Sequence, residues 1–252
     1  MQQFFFISAT LLLFLSAEMK NTSGMISADH VYHDGQYTVS GYDTLGMTIV
    51  SGIDTFDFYF YPESTASISE NALNGGYLFM INGTYFDGVR GHAGHAGWLK
   101  IYGKVIANLR DEDQLSHVVV WDRPGRRFQI LPRETFKSPK SDSTIEFQTG
   151  PLIIQNNQVT PEPIRKSING RTAHLRTLLA ISDHRKLAFV TVRKKVTLTD
   201  LADYLLKLTQ FKGVELDVIN LDGGSSVAFF SRNFPELNFN SDDHLPIIIG
   251  VR

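Results

Sequence analysis

The stretch that decides the fold lies near the C-terminus, at residues 214–226, and reads VELDVINLDGGSS. Apolar side chains alternate with Glu and Asp over its first five positions, which is the two-residue period of a β-strand. The strand runs into Asp222, Gly223 and Gly224, where glycine lets backbone N–H groups approach an anionic oxygen closely. The loop is therefore either a binding site at a strand end or a hairpin turn to a following strand at 227–230.

A second loop of the same kind lies earlier in the chain. Residues 76–82 (GYLFMIN) predict a buried strand, and residues 83–87 (GTYFD) follow it directly. Both loops place a carboxylate beside glycine at the end of an apolar strand, and such loops often carry function because a rigid sheet positions them. Asp87 and Asp222 are therefore the first candidate site residues.

Strand signals recur at short spacing outward from these two loops. One helix is predicted over residues 198–211, because Thr197 and Asp200 form a capping pattern, apolar residues recur at helical spacing, and Gly213 supplies an end. A second, shorter helix is predicted over 64–74. Many strands with one or two packed helices predict an α+β fold, a single domain built on a β-rich, twisted, mixed or antiparallel sheet. The predicted strands cover residues 36–40, 47–50, 55–61, 76–82, 117–121, 127–131, 151–155, 178–182, 187–192 and 214–221.

Composition excludes several classes of function. The chain has 252 residues, of which 42% are hydrophobic and 20% charged, and this excludes an intrinsically disordered chain. A net charge of −2 provides no overall positive field, so we expect no nucleic-acid partner. The sequence has no cysteine, which excludes disulfides, thiolate nucleophiles, zinc–cysteine sites and iron–sulfur clusters.

An apolar run of fourteen residues, 4–17 (FFFISATLLLFLSA), lies at the N-terminus. A spanning helix needs about 20 apolar residues, so we expect no stable membrane span. The run has the length of a signal peptide, although the first three positions lack the usual positive charge. A buried first strand or helix and a short uncleaved anchor are the alternatives. We predict an exported protein with three parts: a signal-like segment at 1–17, an N-terminal extension with added strands at 18–75, and a main domain at 76–252.

The chain is locally basic just before the C-terminal loop. Residues 161–213 contain eleven Lys or Arg and four Asp or Glu, an excess of seven positive charges. Guanidinium groups match the geometry of phosphate, so this excess favours an anionic substrate group; the alternative is an ordinary solvated face of two strands. Arg171 and Arg176 stand beside small residues rather than in a run of charges, and they are the candidates for phosphate binding.

Two histidines, His92 and His95, lie three residues apart in a glycine-rich loop. A metal site would need a third ligand, for which Asp87 is the nearest carboxylate. Two imidazoles alone are weak evidence, so the pattern favours a loop that lines the substrate. We therefore predict no metal site and no cofactor; a divalent cation is compatible with the sequence but has no support in it.

At these residues the chain resembles the phosphodiester glycosidase family, which is defined by the NAGPA domain. In that family a strand runs into an Asn-Gly-Gly-Phe-Phe-Asp loop, and residues 82–87 (NGTYFD) are similar to it. A Gly-Pro-Leu segment follows, as at 150–152, and then an Arg-Thr pair that opens a strand pair, as at 176–177. A Leu-Asp-Gly-Gly-Gly-Ser loop after a helix resembles residues 221–226, and a terminal strand resembles 245–251.

The resemblance covers residues 76–252 in the right order, with two departures. Thr84 replaces the second glycine of the first loop, and Ser225 replaces the third glycine of the last loop. Either Arg171 or Arg176 can be matched to the family's Arg-Thr pair, and the distance to the following strand favours Arg176.

The resemblance implies an exported hydrolase, expected to be a bacterial member of the family. It would cleave the glycosidic C1–O bond of a sugar-1-phosphodiester, for example one with an N-acetylglucosamine-1-phospho group, and release a sugar and a phosphomonoester. A phosphorylated glycan or sugar-1-phosphodiester is the implied partner. The implied catalytic residues are Asp222, as nucleophile or base, and Asp87, as the second carboxylate. The implied substrate- and phosphate-binding residues are Arg176, Thr177, Asn82, Gly83, Gly223, Gly224, Ser225 and His95.

Two alternatives remain open. One is a non-catalytic protein of the same fold that binds carbohydrate or surface polysaccharide, which the departures at Thr84 and Ser225 allow. The other is a hydrolase of ordinary glycosides or of other phosphodiesters, in which the basic segment contacts the substrate differently.

Overall fold

The computed structural model describes residues 24–61, 66–89, 92–168, 170–241 and 245–252. The signal-like segment predicted at 1–17 lies outside these residues. Three α-helices are described, α1 (Ile68–Gly75), α2 (Pro161–Lys166) and α3 (Leu198–Leu205). The strands are β1 (His30–Asp34), β2 (Tyr37–Tyr42), β3 (Met47–Ile53), β4 (Asp57–Phe60), β5 (Phe79–Asn82), β6 (Phe86–Val89), β7 (His92–His95), β8 (Leu99–Ile101), β9 (Lys104–Ala107), β10 (His117–Asp122), β11 (Arg127–Pro132), β12 (Thr144–Thr149), β13 (Leu152–Gln155), β14 (Gln158–Val159), β15 (His174–Ser182), β16 (Lys186–Val196), β17 (Leu216–Asn220), β18 (Phe229–Ser231) and β19 (Ile247–Val251).

The strands form four sheets. The largest has eight strands in the order β1-β2-β3-β16-β15-β17-β13-β14, and a five-stranded sheet has the order β11-β10-β12-β8-β9. A four-stranded sheet (β18-β5-β19-β4) and the β6–β7 ribbon complete the set. Every pairing between these strands is antiparallel. The predicted β-rich single domain with antiparallel sheets and a few helices is therefore confirmed, whereas α+β describes it only loosely, because the fold is mostly β with three short helices.

Short connections explain why the sheets are antiparallel. β15 and β16 are joined by three residues, and Asp183 and His184 in that turn have φ of 50° and 55°. A tight turn can reverse the chain only into an antiparallel neighbour, whereas a parallel neighbour needs a crossover of a dozen or more residues. Each strand predicted from the sequence is present, with bounds that are shifted at the ends.

Alternating side chains of the β15–β16 hairpin face two separate cores. Leu179 and Phe189 face a core shared with the other sheets, which contribute Trp121, Phe147 and Ile249. The intervening residues of the same two strands pack against the apolar stripe of α3. Because both faces of this hairpin are covered, its sequence is apolar almost continuously rather than at every second position.

The first three strands of the predicted N-terminal extension belong to the large sheet, and β4 belongs to the four-stranded sheet. β3 pairs with β16 in a register that places Thr48 opposite Thr191, and β2 and β1 continue the sheet outward. Residues 30–53 therefore extend the same sheet that carries β15 and β17.

Helix α3 begins as predicted and ends earlier. The Thr197 side chain accepts a hydrogen bond from the Asp200 N–H at 3.2 Å, so the capping pattern is confirmed. The helix ends at Leu205 rather than near 211, because the backbone of Ile26 bonds Lys207 and Thr209 at 2.7 and 2.9 Å. A long-range backbone pairing thus replaces the last predicted turns of the helix.

Two sheets meet at the glycine loops. β17 ends at Asn220 in the eight-stranded sheet, and β5 ends at Asn82 in the four-stranded sheet. The strand after the Asp222 loop, β18, pairs with β5 and not with β17. The hairpin interpretation of this loop is therefore wrong, and the loop connects two different sheets.

No helix among the described residues is long and apolar enough to cross a membrane.

Candidate active site

The first feature of the site is a buried clip that joins the two loops. Asn82 is 1% exposed, and its Nδ2 donates a hydrogen bond to the carbonyl of Asp222 at 2.8 Å. Its Oδ1 accepts hydrogen bonds from the Thr177 hydroxyl at 2.6 Å and from the Ala228 N–H at 3.2 Å. Asn82 and Thr177, both predicted to bind substrate, are thus bonded to the protein itself and hold the Asp222 loop against β15.

Gly83 completes this junction through its backbone. Its N–H donates to the Ile247 carbonyl at 2.8 Å, and its own carbonyl accepts from the Asp222 N–H at 3.2 Å. A Cβ at this position would overlap the Ile247 side chain and lie 3.0 Å from its carbonyl oxygen. Glycine is required here by close packing of the loop on β19.

A small pocket of about 70 Å³ lies where the Asp222 loop passes the start of β15. It brings together four of the predicted site residues and three residues that were not predicted to belong to the site. The predicted residues are Arg176, Asp222, Gly223 and Gly224, and the additional ones are Tyr85, His174 and Asn220.

Arg176 supplies a buried positive charge to the pocket. It is 2% exposed, and it donates hydrogen bonds from Nε to the Val196 carbonyl at 3.2 Å and from Nη2 to the Thr172 carbonyl at 2.6 Å. Burial lowers the pKa of the guanidinium, against the opposing effect of Tyr85, yet arginine stays protonated in proteins. Arg171, the alternative candidate, is exposed. Arg176 is therefore the fixed cation of the pocket, and it is suited to bind an anionic group.

Asp222 is held in a defined orientation beside that cation. Its Oδ1 accepts a hydrogen bond from the Gly223 N–H at 2.9 Å. A Cβ on Gly223 would lie 2.7 Å from the Leu175 carbonyl, so glycine lets the loop approach β15. Gly224 has a φ of 64° and opens a short 3₁₀ turn that ends at Ser226. Ser225 lies in this turn, is exposed, and is not among the residues that line the pocket.

Tyr85 and Asn220 form another part of the pocket lining. The Tyr85 hydroxyl donates to the Gly150 carbonyl at 3.0 Å and accepts from Asn220 Nδ2 at 2.7 Å. Burial, and then the charge of Asp222, raise the pKa of the Tyr85 phenol, so it stays neutral. Asn220 Nδ2 also contacts the carbonyls of Gly150 and Leu221, whereas its buried Oδ1 has no hydrogen-bond partner among the described residues. That oxygen is enclosed by the protein, so it is a buried acceptor without a partner rather than an open ligand contact.

His174 is the third additional residue in the pocket. Its Nε2 lies 2.8 Å from the Thr172 hydroxyl. Burial lowers its pKa, and the nearby charges of Arg176 and Lys195 lower it further. The imidazole is therefore neutral at neutral pH and can exchange hydrogen bonds at the pocket wall without adding charge.

The structure does not bring Asp87 or His95 into this pocket. The Asp87 carboxylate forms an ion pair with Arg110 and is half exposed. His95 is 4% exposed, its Nδ1 lies 3.0 Å from the Gly97 carbonyl, and its Nε2 lies 2.7 Å from the Thr84 hydroxyl. Burial lowers the pKa of His95 to about 4, so the neutral ring donates from Nδ1 and accepts at Nε2. Thr84, one of the departures from the family pattern, thus has a structural partner in His95.

Within the described part of the chain, no three His, Asp or Glu side chains are arranged to hold a metal ion. The side chain of His92 lies outside the described residues.

Comparisons with known proteins support one family. The sequence profile of the phosphodiester glycosidase (NAGPA) family matches residues 75–251. The fold is similar to the catalytic domain of zebrafish N-acetylglucosamine-1-phosphodiester alpha-N-acetylglucosaminidase, auto-inhibited by its pro-peptide, with 15% identity and a TM-score of 0.60 over 94% of this chain and 86% of that one. It is also similar to a protein from Burkholderia pseudomallei that is thought to be exported, with 8% identity and a TM-score of 0.60 over 86% of this chain and 74% of that one. No protein with a curated function matches the sequence. Identities this low establish the shared fold alone.

Proposed function

We propose that this chain, which belongs to the phosphodiester glycosidase family, is an exported hydrolase of sugar-1-phosphodiesters. The observation that carries the proposal is the shared pocket of Arg176 and Asp222, a buried cation and a carboxylate that lie beside a glycine turn. A phosphodiester joined to an anomeric carbon presents the matching pair of features, an anionic phosphate and an electron-poor centre one atom away.

Arg176 binds the phosphate in this proposal. Its two hydrogen bonds to main-chain carbonyls fix the guanidinium before substrate arrives, so little side-chain freedom is lost on binding. Gly224 also lines the pocket, where its backbone N–H can bind a phosphate oxygen, whereas the Gly223 N–H is bonded to Asp222 Oδ1. The phosphate remains charged throughout the reaction, and the fixed cation stabilises the negative charge that develops on the departing oxygen.

Asp222 acts at the anomeric carbon, as nucleophile or as base for an attacking water. The Gly223 N–H bonded to Oδ1 fixes the plane of the carboxylate. Asp87, proposed from the sequence as a second carboxylate, is paired with Arg110 outside the pocket. A phosphomonoester is a good leaving group without protonation, so C1–O cleavage needs a general acid less than an ordinary glycoside does. Asp222 can therefore serve as the single catalytic carboxylate.

Asn220 and Tyr85 contact the sugar in this proposal. Both side chains line the pocket, where the Tyr85 hydroxyl oxygen can accept a hydrogen bond from a sugar hydroxyl or from an acetamido N–H. An N-acetylglucosamine-1-phospho group, which the name of the zebrafish neighbour specifies, carries donors of both kinds. It is our first choice of substrate.

The test uses purified protein and a panel of sugar-1-phosphodiesters in oxygen-18 water, with products followed by mass spectrometry. We expect label in the released sugar, which establishes cleavage of the C1–O bond. Label in the phosphate would move the chemistry to phosphorus and refute the glycosidase mechanism. Saturable binding with no release from any diester would favour the non-catalytic carbohydrate-binding alternative, and release from uncharged aryl glycosides would favour an ordinary glycosidase.

Two variants test the assigned roles. Asp222→Asn should abolish turnover and leave the fold intact, whereas Asp203→Asn, a matched change on the exposed face of α3, should leave turnover unchanged. Arg176→Lys loses the fork geometry of the guanidinium, and we expect KM for the diester to rise about 10-fold or more, since a charge-assisted hydrogen bond contributes roughly 1.5–3 kcal/mol. An unchanged KM would assign phosphate binding to another group.

Export rests on the apolar run at residues 4–17 and is tested separately. We expect the protein outside the cytoplasm of its host, with a mature N-terminus after residue 17. Full-length protein retained in the cytoplasm would contradict export without affecting the catalytic proposal.

A further inference from the structure

A second and larger groove, of about 420 Å³, lies at the opposite end of β19 from the candidate active site. The active-site junction contacts Ile247, where β19 begins, and the groove is bordered by Gly250 and Arg252. A strand rises about 3.3 Å per residue, so the groove residues Gly250 and Arg252 lie roughly 10–17 Å along the chain from the contact at Ile247. None of the residues that line the groove lines the active-site pocket.

The side chain of Arg252 is fixed in one orientation at this groove. Its Nη2 donates hydrogen bonds to the hydroxyls of Tyr59 at 2.8 Å and Tyr77 at 2.7 Å. The guanidinium lies 4.7 Å from the centre of the Tyr77 ring, and its Nε lies 3.7 Å from an oxygen of Asp57. An arginine held in this way is prepared to bind an anion, because its rotamer is already selected.

A second arginine borders the groove from the turn between β10 and β11. Arg123 lies 5.8 Å from the centre of the Tyr102 ring, which belongs to the turn between β8 and β9. Tyr102 is 42% exposed, so part of its ring is open to a ligand. The charged side chains that line the groove are two arginines and one carboxylate, Asp57, so the lining side chains carry a net positive charge.

Aromatic rings beside guanidinium groups suit a ligand with two kinds of surface. The face of a tyrosine ring packs against the C–H groups of a sugar ring, and a pair of guanidinium groups binds phosphate or carboxylate oxygens in a bidentate way. Neutral sugars use only the first contact, and inorganic anions only the second. A sugar that bears an anionic group uses both.

We propose that this groove is a binding site for an anionic sugar unit, with the phosphate or carboxylate on Arg123 and Arg252 and the sugar ring against Tyr102. The site is separate from the Asp222 pocket, and its existence does not depend on the proposed hydrolysis. If both sites are occupied, a charged glycan longer than a single diester contacts the protein at two points.

The test is an NMR titration of the full-length protein, with glucose 6-phosphate, glucuronate, glucose and inorganic phosphate as separate probes. We expect glucose 6-phosphate to shift the backbone amides of Tyr102, Arg123 and Gly250 in a saturable way, and glucose to leave them unchanged. A comparable response to glucuronate would show that the site recognises any anionic sugar, and binding of glucose 6-phosphate alone would narrow it to phosphorylated sugars; both results support the site. Absence of shifts at these amides, or shifts confined to Gly223 and Gly224, would overturn the proposal.

Variants separate the two contacts. Arg123→Ala, in an exposed turn, should weaken binding of glucose 6-phosphate at least 5-fold, whereas Arg127→Ala, an exposed arginine of β11 outside the groove, should change it less than 2-fold. Tyr102→Asn keeps a residue that tolerates the positive φ of this position and removes the ring, so it should weaken glucose 6-phosphate and leave inorganic phosphate unchanged. Equal affinity for glucose 6-phosphate and inorganic phosphate in the unmodified protein would refute the sugar contact.

Discussion

Substitution of Asn82 by alanine tests the buried clip that positions the Asp222 loop. The side chain makes three hydrogen bonds, one donated to the Asp222 carbonyl and two accepted from Thr177 and Ala228. Alanine provides neither the donor nor the acceptor, and both Thr177 and Ala228 are fully buried. Two buried donors and one carbonyl are therefore left without their partners.

The expected cost follows from those three groups. A buried polar group that loses its partner costs about 1–3 kcal/mol, and a net hydrogen bond contributes about 0.5–1.5 kcal/mol. Water reaches the half-buried Asp222 loop more easily than Thr177 or Ala228, so its carbonyl contributes at the low end of the range. Asn82→Ala should lower the free energy of unfolding by about 3–5 kcal/mol, a large part of the roughly 5–15 kcal/mol that stabilises a typical protein.

Urea unfolding followed by fluorescence and circular dichroism measures this change. Thr177→Val is the matched control, because it removes only the 2.6 Å bond and leaves Asn82 Oδ1 with its second donor, Ala228. We expect a loss of about 1 kcal/mol for the control. If Asn82→Ala costs no more than Thr177→Val, the three bonds do not act as a clip, and the proposed positioning of Asp222 by Asn82 is refuted.

Three further predictions concern stability. Burial lowers the pKa values of His95 and His117 to about 4, so below pH 6.5 the unfolded state binds more protons than the folded state. The free energy of unfolding should therefore fall as the pH drops from 6.5 to 4, by up to about 1.4 kcal/mol per pH unit for each histidine. Urea titrations at several pH values should show a shallower fall in the His95→Gln/His117→Gln double variant, and an identical slope would contradict the assignment. Glu146 is fully buried and pairs with the buried Lys100 at 3.1 Å. Glu146→Gln leaves that lysine charge unpaired and should lower the free energy of unfolding by about 3–5 kcal/mol. Glu162→Gln, in an exposed pair, should barely change the melting temperature, and equal effects of the two variants would show that burial is unimportant. Gly83→Ala should lower the melting temperature through overlap with Ile247, at a cost of about 1–3 kcal/mol, and a wild-type melting curve would show that the loop can move away from β19.

Local structure was largely predictable from the sequence. Alternation and apolar runs located most of the strands, though not β1, β6–β9, β12 or β14, and the Thr197–Asp200 pattern located the start of α3. These signals depend only on neighbours within a few residues. The end of α3 was not predictable, since it depends on backbone bonds to Ile26, nearly two hundred residues earlier in the chain. β15 and β16 are apolar at almost every position, so the sequence does not show that the two faces of each strand pack against different cores.

The candidate site was predictable in part. The loop glycines, Asp222 and Arg176 could be identified from residue type and motif, and the structure places them around one pocket. Asn220 lies in the predicted strand 214–221, directly before the Asp222 loop, and nothing in its sequence context indicates an unpaired Oδ1. Tyr85 lies within the first loop motif, but its contacts with Gly150 and Asn220 could not be predicted from it, because they join segments that are 65 and 135 residues apart.

What the sequence determined by itself is most of the strands and the chemistry of their ends: glycine where backbone must come close, and carboxylates, amides and an arginine beside it. What only the tertiary structure decided is which of these groups face one another. Asp87 and Asp222 end similar motifs, yet Asp87 pairs with Arg110 while Asp222 lies beside Arg176. The physical reason is that a side chain's partner depends on how the sheets pack, and a loop such as that of Asp222 is fixed by a hydrogen bond from Asn82, 140 residues away.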